Sequence, residues 1–303
     1  MKIDGKDILQ EYGIFVTDNS YRDLVTYPPT KKLEQNDWAE YDGVEVDLSN
    51  IALNMRELTI TFAQTGQLRI GRFMEQLSDG AYHVFEFSVL NLKLLLRLVS
   101  QPDFRFYTKQ VRTFSLRFAC DFPIKPDSWS FLSYYEHTGY EINGHDLSKF
   151  GVRISEGTMS EILKMPNVKK NLTIDINKND GVIYDSEKVQ YETKDVKINC
   201  LMAFSNLTLF WQQHKSLFYY LVNMSEPKLK VTAINREFPF YYKSCSTSEF
   251  AVTSNRVWWK FTLTLVFTDF RLDAENYLLV DETGNFIVTE DGLYMIDLNI
   301  IKN

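Results

Sequence analysis

The residues of this chain that could do chemistry are four histidines, three cysteines and a set of carboxylates beside glycines. His83, His137, His145 and His214 could bind a metal or move a proton. No two of them stand at the HExxH, HxxxH or HxH spacing that aims two imidazoles at one ion. His83 lies in a strand-like run, and His145 in a turn whose counterpart elsewhere carries Lys6, so surface or strand histidine is the favoured reading. Cys120, Cys200 and Cys245 form no CxxC pair; Cys120 and Cys200 each close an apolar alternating run and read as core thiols. An odd, unpatterned cysteine set points to a reducing compartment. The carboxylates that recur in pairs (Asp7 and Asp146, Asp42 and Asp180, Asp47 and Asp185) sit next to glycine or at strand starts, where capping of turns accounts for them. Gly66 and Gly71 are isolated and build no phosphate loop, and no GxSxG elbow is present. The expectation is a protein without catalytic, cofactor or metal residues.

Aromatic clusters are the other candidate surface. Trp258-Trp259, Tyr241-Tyr242 and Tyr219-Tyr220 could line a sugar site or an intersubunit contact. Neighbours in a strand face opposite sides, so one of each strand pair must be core. The other is expected at an interface.

The elements that must position these residues are organised by a duplication. Ile3, Gly5, Asp7 and Ile8, then Tyr12-Gly13-Ile14, return as Ile142, Gly144, Asp146 and Leu147, then Phe150-Gly151-Val152. Asp42-Gly43-Val44 with Asp47 returns as Asp180-Gly181-Val182 with Asp185, and the strand starting at Glu57-Leu58 returns at Asp195-Val196. The offset hardly moves: 144 − 5 = 139, 181 − 43 = 138 and 198 − 60 = 138. A period of this size is a domain length, not a solenoid unit. We read residues 1–125 as a first domain, 126–139 as a linker, 140–272 as a second domain and 273–303 as a β-meander extension.

Composition fits that reading. Of 303 residues, 45% are hydrophobic and 24% charged, the balance of a globular chain with enough apolar surface for two cores. An aromatic share of 15% with 13 Gly and 8 Pro favours sheet over helix. The net charge of −7 supplies no basic footprint for nucleic-acid backbone. No apolar run is long enough to cross a membrane, the N-terminus shows no signal-peptide pattern, and the sequons at Asn171, Asn206 and Asn223 lack a secretory context.

Along the chain, residues 1–16 read as two short strands about a turn at Asp7, and 20–36, with Pro28-Pro29, as a polar loop or arm. Leu58 to Phe62 alternates as a strand. Phe210 to Val222 has helical spacing, with Trp211, Leu217, Phe218, Leu221 and Val222 on one face. Leu92 to Val99 is its expected helical equivalent, with a buried strand as the alternative. The strands holding Phe114 and Phe261 stand 261 − 114 = 147 apart, which places insertions around 228–234 and 246–254 of the second copy. Two turns, Asp281-Glu-Thr-Gly284 and Thr289-Glu-Asp-Gly292, make the tail a meander of hairpins. The fold class is mainly β (β-rich α+β): two sandwich- or barrel-like units, each with one helix, and that extension.

The ordered set Gly5, Tyr12-Gly13, Asp42-Gly43, Asp47 and Leu58 to Phe62, repeated in Gly144, Phe150-Gly151, Asp180-Gly181, Asp185 and Val196 to Cys200, resembles the N-terminal domain of phage distal tail proteins. The stretch Val288-Thr-Glu-Asp-Gly292 is similar to the ends of many phage tail proteins. The resemblance implies the tail-tube fold, shared with baseplate hub proteins. It implies a homo-oligomeric ring that continues the tail tube, contacts other tail and baseplate proteins, and lets DNA through its lumen without specific binding. The place of such a protein is the virion tail, after assembly in the cytoplasm of the bacterial host, with no membrane role. Distal tail proteins form hexamers and two-domain hubs form pseudo-sixfold trimers, so three chains of this kind could supply six tube domains. Distal tail proteins usually follow one tube domain with a galectin-like one, and the duplication departs from that. The alternative is a two-sandwich module binding carbohydrate or a host receptor, monomeric in solution.

Overall fold

A computed structural model describes residues 1–270 except 67–68, 109–110, 134–135, 171–172, 176–179 and 185–188, and gives no side chains for 18–19, 173–175 and 182–184. Asp185 and the expected C-terminal meander lie outside the described residues. The protein is β-rich α+β, with large antiparallel sheets and few helices.

The first half runs β1 (Lys2–Ile3), β2 (Lys6–Asp7), α1 (Ile8–Tyr12), β3 (Ile14–Val16), α2 (Arg22–Val25), β4 (Gln35–Asn36), β5 (Glu45–Val46), β6 (Arg56–Thr65), α3 (Ile70–Leu77), β7 (His83–Phe87), β8 (Leu92–Phe106) and β9 (Val111–Cys120). The second runs β10 (Tyr140–Ile142), β11 (His145–Asp146), β12 (Val152–Ile154), α4 (Thr158–Leu163), β13 (Thr173–Asp175), β14 (Val182–Tyr184), β15 (Lys194–Phe204), α5 (Leu207–Val222), β16 (Lys228–Val231), β17 (Arg236–Val252) and β18 (Val257–Phe267). The two large sheets have the same strand order, β2-β1-β7-β8-β9-β6-β3 and β11-β10-β16-β17-β18-β15-β12.

One long strand bends each sheet into a sandwich. Residues 92–96 of β8 pair with β7 and 97–106 with β9; residues 236–239 of β17 pair with β16 and 240–252 with β18. Each long strand carries a bulge at the same place, between Leu98 and Ser100 and between Tyr242 and Ser244. A bulge adds twist and bend, which a strand serving two layers needs. Inward side chains such as Leu58, Ile60 and Phe62, or Val196, Ile198 and Cys200, are buried at every second position.

Three local expectations change. The run Leu92 to Val99 is strand, because Leu92, Leu94, Leu96 and Leu98 alternate with Lys93, Leu95 and Arg97 and pack one face on the core. Pro102 is tolerated there inside a second register shift. Each half holds more than the one expected helix, and the counterpart of α5 in the first half is α3, whose Ile70, Phe73 and Leu77 make the buried stripe. Asp7 does not merely turn two strands; its carboxylate accepts the backbone N–H groups of Leu9 and Gln10 and caps α1. The arm at 20–36 is not simply a polar loop: it contains α2, and Leu24, Val25 and Tyr27 are fully buried.

The register also moves the expected insertions. Asn91 and Asn235, both left-handed residues ahead of the long strand, stand 235 − 91 = 144 apart. The step from 138 to 144 therefore falls between β15 and β16, where α5 spans 16 residues against 8 in α3. The step to 147 falls at the β17–β18 hairpin tip, near the expected 246–254.

Candidate functional site

The feature with the richest cross-half chemistry is a joint between a loop of the first half and the body of the second. Its geometry starts at the base of the loop. Arg56, first residue of β6, donates Nη1 to the carbonyl of Thr26, which caps the end of α2. The matching first residue of β15, Lys194, donates Nζ to the carbonyls of Ile162 (2.6 Å) and Lys164, at the end of α4. Burial pulls the Lys194 ammonium down to about 8. Both cations serve helix-end carbonyls left without partners by the helix itself.

Beyond these anchors the two loops match residue for residue. Thr30 bridges Leu53 and Val168 bridges Tyr191, with 168 − 30 = 138 and 191 − 53 = 138. Lys31 N–H donates to Ala52 at 2.8 Å, and Lys169 N–H to Gln190 at 2.7 Å. Hence Tyr27 corresponds to Met165 and Pro28 to Pro166.

The first loop seats its apolar side chains in the body of the second half, whereas the second loop is held from the first half through its Lys169 ammonium, which donates to Asp37 Oδ1 and to the carbonyls of Trp38 (2.9 Å) and Gly43 (2.6 Å). Tyr27 stacks on Phe218 (centroids 4.6 Å apart, 6° between planes), meets Trp259 edge-on at 5.4 Å and donates its hydroxyl to the His214 carbonyl at 2.7 Å. His214 donates Nε2–H back to the Val25 carbonyl at 2.7 Å. Thr26 Oγ1 lies 2.7 Å from Thr247 Oγ1, and Thr30 N–H donates to Lys243 at 3.1 Å. Burial drives the Tyr27 phenol well above its usual range, and drives His214 down to about 3. Part of the His214 side chain still reaches solvent, but its ring is crowded by Tyr27, Phe210 and Trp259. The imidazole is neutral at physiological pH.

The repeat glycines divide in the same way. Gly5 and Gly144 hold the first turns at φ +79° and +76° with open space around them, and Gly13 and Gly151 end a helical turn in each copy. Gly43 has φ +63°, and a Cβ there would fall 1.6 Å from the Thr268 carbonyl oxygen. Its turn is pinned to the second half by Gly43 N–H to Tyr191 (2.8 Å), Val44 N–H to Thr268 (2.9 Å) and Tyr191 N–H to Asp42 Oδ1 (2.8 Å). Gly181, its counterpart at φ +81°, has no described atom within 4 Å of such a Cβ. Asp47 accepts from Ser49 N–H at 2.9 Å, a local turn bond.

Of the aromatic candidates, Trp259 and Tyr242 are fully buried. They present nothing to another chain, because Tyr27 of the first half already covers that side. Trp258 and Tyr241 lie on the opposite face and remain half-buried. Tyr220 is buried against Trp129 and Phe131 of the stretch read as a linker, which thus packs on α5. An open groove of about 450 Å³ beside Glu136, His137, Arg153 and Glu156 carries charge, with Tyr140 as its aromatic wall.

The titratable groups serve structure. His83 is buried between Asp4 (2.7 Å) and Asp79 (3.2 Å). Burial alone would raise the Asp4 carboxyl, but the Val84 N–H and His83 outweigh it and hold it below its usual range. In the second copy Asn143 takes the place of Asp4 and accepts Lys228 N–H at 2.7 Å, so the turn survives without a histidine. Asp146 is likewise lowered, its burial outweighed by hydrogen bonds from Ser148 and Thr138. Cys120 and Cys200 are buried, and burial pushes the Cys245 thiol up to about 12. Among the described residues, no group of three or more His, Cys, Asp or Glu is placed to hold a metal, and no helix is long and apolar enough to cross a membrane.

Sequence reasoning did not single out Tyr27, His214, Arg56 or Lys194 as joint residues. The signal existed: both basic residues and the prolines Pro28 and Pro166 keep the 138-residue offset. No protein-family model matches the chain, and a search of curated proteins finds none similar to it.

Proposed function

We propose that the chain is a structural component of a phage tail, a distal tail or baseplate hub protein that builds a ring continuing the tail tube. The observation that carries this reading is the internal joint. Two copies of one fold are linked head to tail, with a loop of the first seated in the body of the second. Such a contact is heterologous, and repeating it leads to a ring when the rotation closes. Three chains would then place six copies around a lumen through which DNA passes without specific binding. The net charge of −7 suits passage over gripping. Other tail and baseplate proteins are the further partners, and the virion is the location.

The carbohydrate-binding alternative loses part of its platform, since Trp259 and Tyr242 are core and the open groove offers one tyrosine. Light scattering tests the ring reading. A molar mass of three protomers, with rings in negative stain, is expected; six protomers would mean twelve copies and a different ring. A monomer at every concentration, with tryptophan fluorescence shifting on glycan titration, would replace it with the alternative.

A further inference from the structure

Among the described residues, the apolar side chains of the second half's loop and of the first half's long strand β8 form the two sides of a joint that is not closed. Met165, counterpart of the buried Tyr27, is 49% exposed, and Val168, counterpart of Thr30, is 47% exposed. On the receiving side, Tyr242 and Lys243 correspond to Leu98 and Val99 by the shared bulge, and Thr247, which pairs with Phe261, corresponds to Phe104, which pairs with Phe114. Val99 and Phe104 are exposed, as is Phe106 at the hairpin tip (61%), whose counterpart Phe250 is 9% exposed. Apolar side chains are therefore bare at both the donor and the acceptor position.

We infer that the Met165–Val168 loop of one chain seats on the Leu98–Phe104 segment of β8 in a second copy of this chain. The occupant follows from the internal joint: the same loop design already binds the same strand position once, between Tyr27 and Tyr242, and the unused donor and acceptor are carried by one polypeptide. A donor at one end and an acceptor at the other make the contact heterologous, so each chain binds two neighbours. Met165 replaces Tyr27 here, and a flexible thioether suits a seat that must form between separate chains. The inference rests on the ring reading for closure and adds to it the surfaces that join chain to chain.

The test is a double variant of the full chain, Lys164→Cys with Phe104→Cys. Their counterparts Thr26 and Thr247 bring side-chain oxygens to 2.7 Å inside the chain. Mild oxidation should convert most of the protein to covalent multimers on a non-reducing gel, reversed by reductant, while each single variant stays at monomer mass. In parallel, Met165→Asp should shift the assembled protein to monomer in light scattering while keeping the thermal transition of the dissociated wild-type chain, because the residue is exposed in the single chain. An oligomer that neither cross-links nor dissociates with Met165→Asp overturns the inference and leaves a ring built through another face. A wild-type protein that is monomeric, together with a double-cysteine variant that does not cross-link, overturns both readings. Covalent ladders without a closed species support the joint and count against the ring.

Discussion

The two halves share strand order, bulge, turn glycines and loop anchors, yet each buries what the other exposes. The first half sends Tyr27 and Gly43 into its neighbour and leaves the β8–β9 hairpin bare. The second half buries Phe250 of its hairpin and leaves Met165 and Gly181 exposed. Helix length explains part of the difference. The two extra turns at the start of α5 carry Phe210, which packs on Phe250 and Trp259; α3, of 8 residues, starts at Ile70. Asn206 supports the extension by accepting Leu209 N–H at 2.9 Å. The rest lies in what each loop meets among the described residues: the first loop packs its apolar side chains on the second half, and Met165 of the second loop stays exposed. Equivalent positions in a repeat are equivalent in geometry, not in environment.

The comparison can be broken most easily at Tyr27. Truncating a stacked, hydrogen-bonded aromatic in a core costs about 3–5 kcal/mol, so Tyr27→Ala should lose that much in urea unfolding. Met165→Ala in the monomer should stay within about 0.5 kcal/mol. Equal losses would mean the loops are not distinguished as described.

The glycine pair is the next test. Gly43→Ala places a methyl against the Thr268 carbonyl and strains a left-handed residue, for a loss above about 2 kcal/mol, whereas Gly181→Ala carries only the backbone strain of about 1 kcal/mol. Thermal denaturation of both variants decides it.

Acid sharpens the contrast further. His214 is depressed to about 3 in the folded chain and returns to about 6.5 when unfolded, so below pH 6.5 the unfolded state binds the proton that the native state refuses. Stability contributed by this group is complete above that pH and falls by about 1 kcal/mol per pH unit towards pH 3. His214→Gln, which can still donate to Val25, should flatten that slope in urea titrations at stepped pH. A slope unchanged by the substitution would place the acid sensitivity elsewhere. The smallest effect belongs to Phe106→Thr, expected within about 0.5 kcal/mol by the same unfolding measurement, because the ring is 61% exposed and meets the Arg112 guanidinium only at 5.5 Å from its centre.

Much of the architecture was legible in the residues. Alternation marked β6, β15 and β18, helical spacing marked α5, and the recurring Gly and Asp positions marked the turns. Leu92 to Val99 misled because its outward positions include Leu95, so an apolar run hid a two-residue period. Tyr27 was missed because a lone tyrosine between a polar stretch and Pro28-Pro29 looks like loop, and its partners lie 187 and 215 residues away. Trp259 and Tyr242 are the core members of their strand pairs, and they pack against Tyr27 of the first half of their own chain.

By itself the sequence determined the duplication, the order of elements, the left-handed turns and the β-rich class, because these depend on side-chain period and backbone freedom over a few residues. Tertiary structure alone decided which copy of each matched position is core and which is surface. Burial is set by what packs from far along the chain, and two loops with the same local design differ in which of their side chains the other half covers.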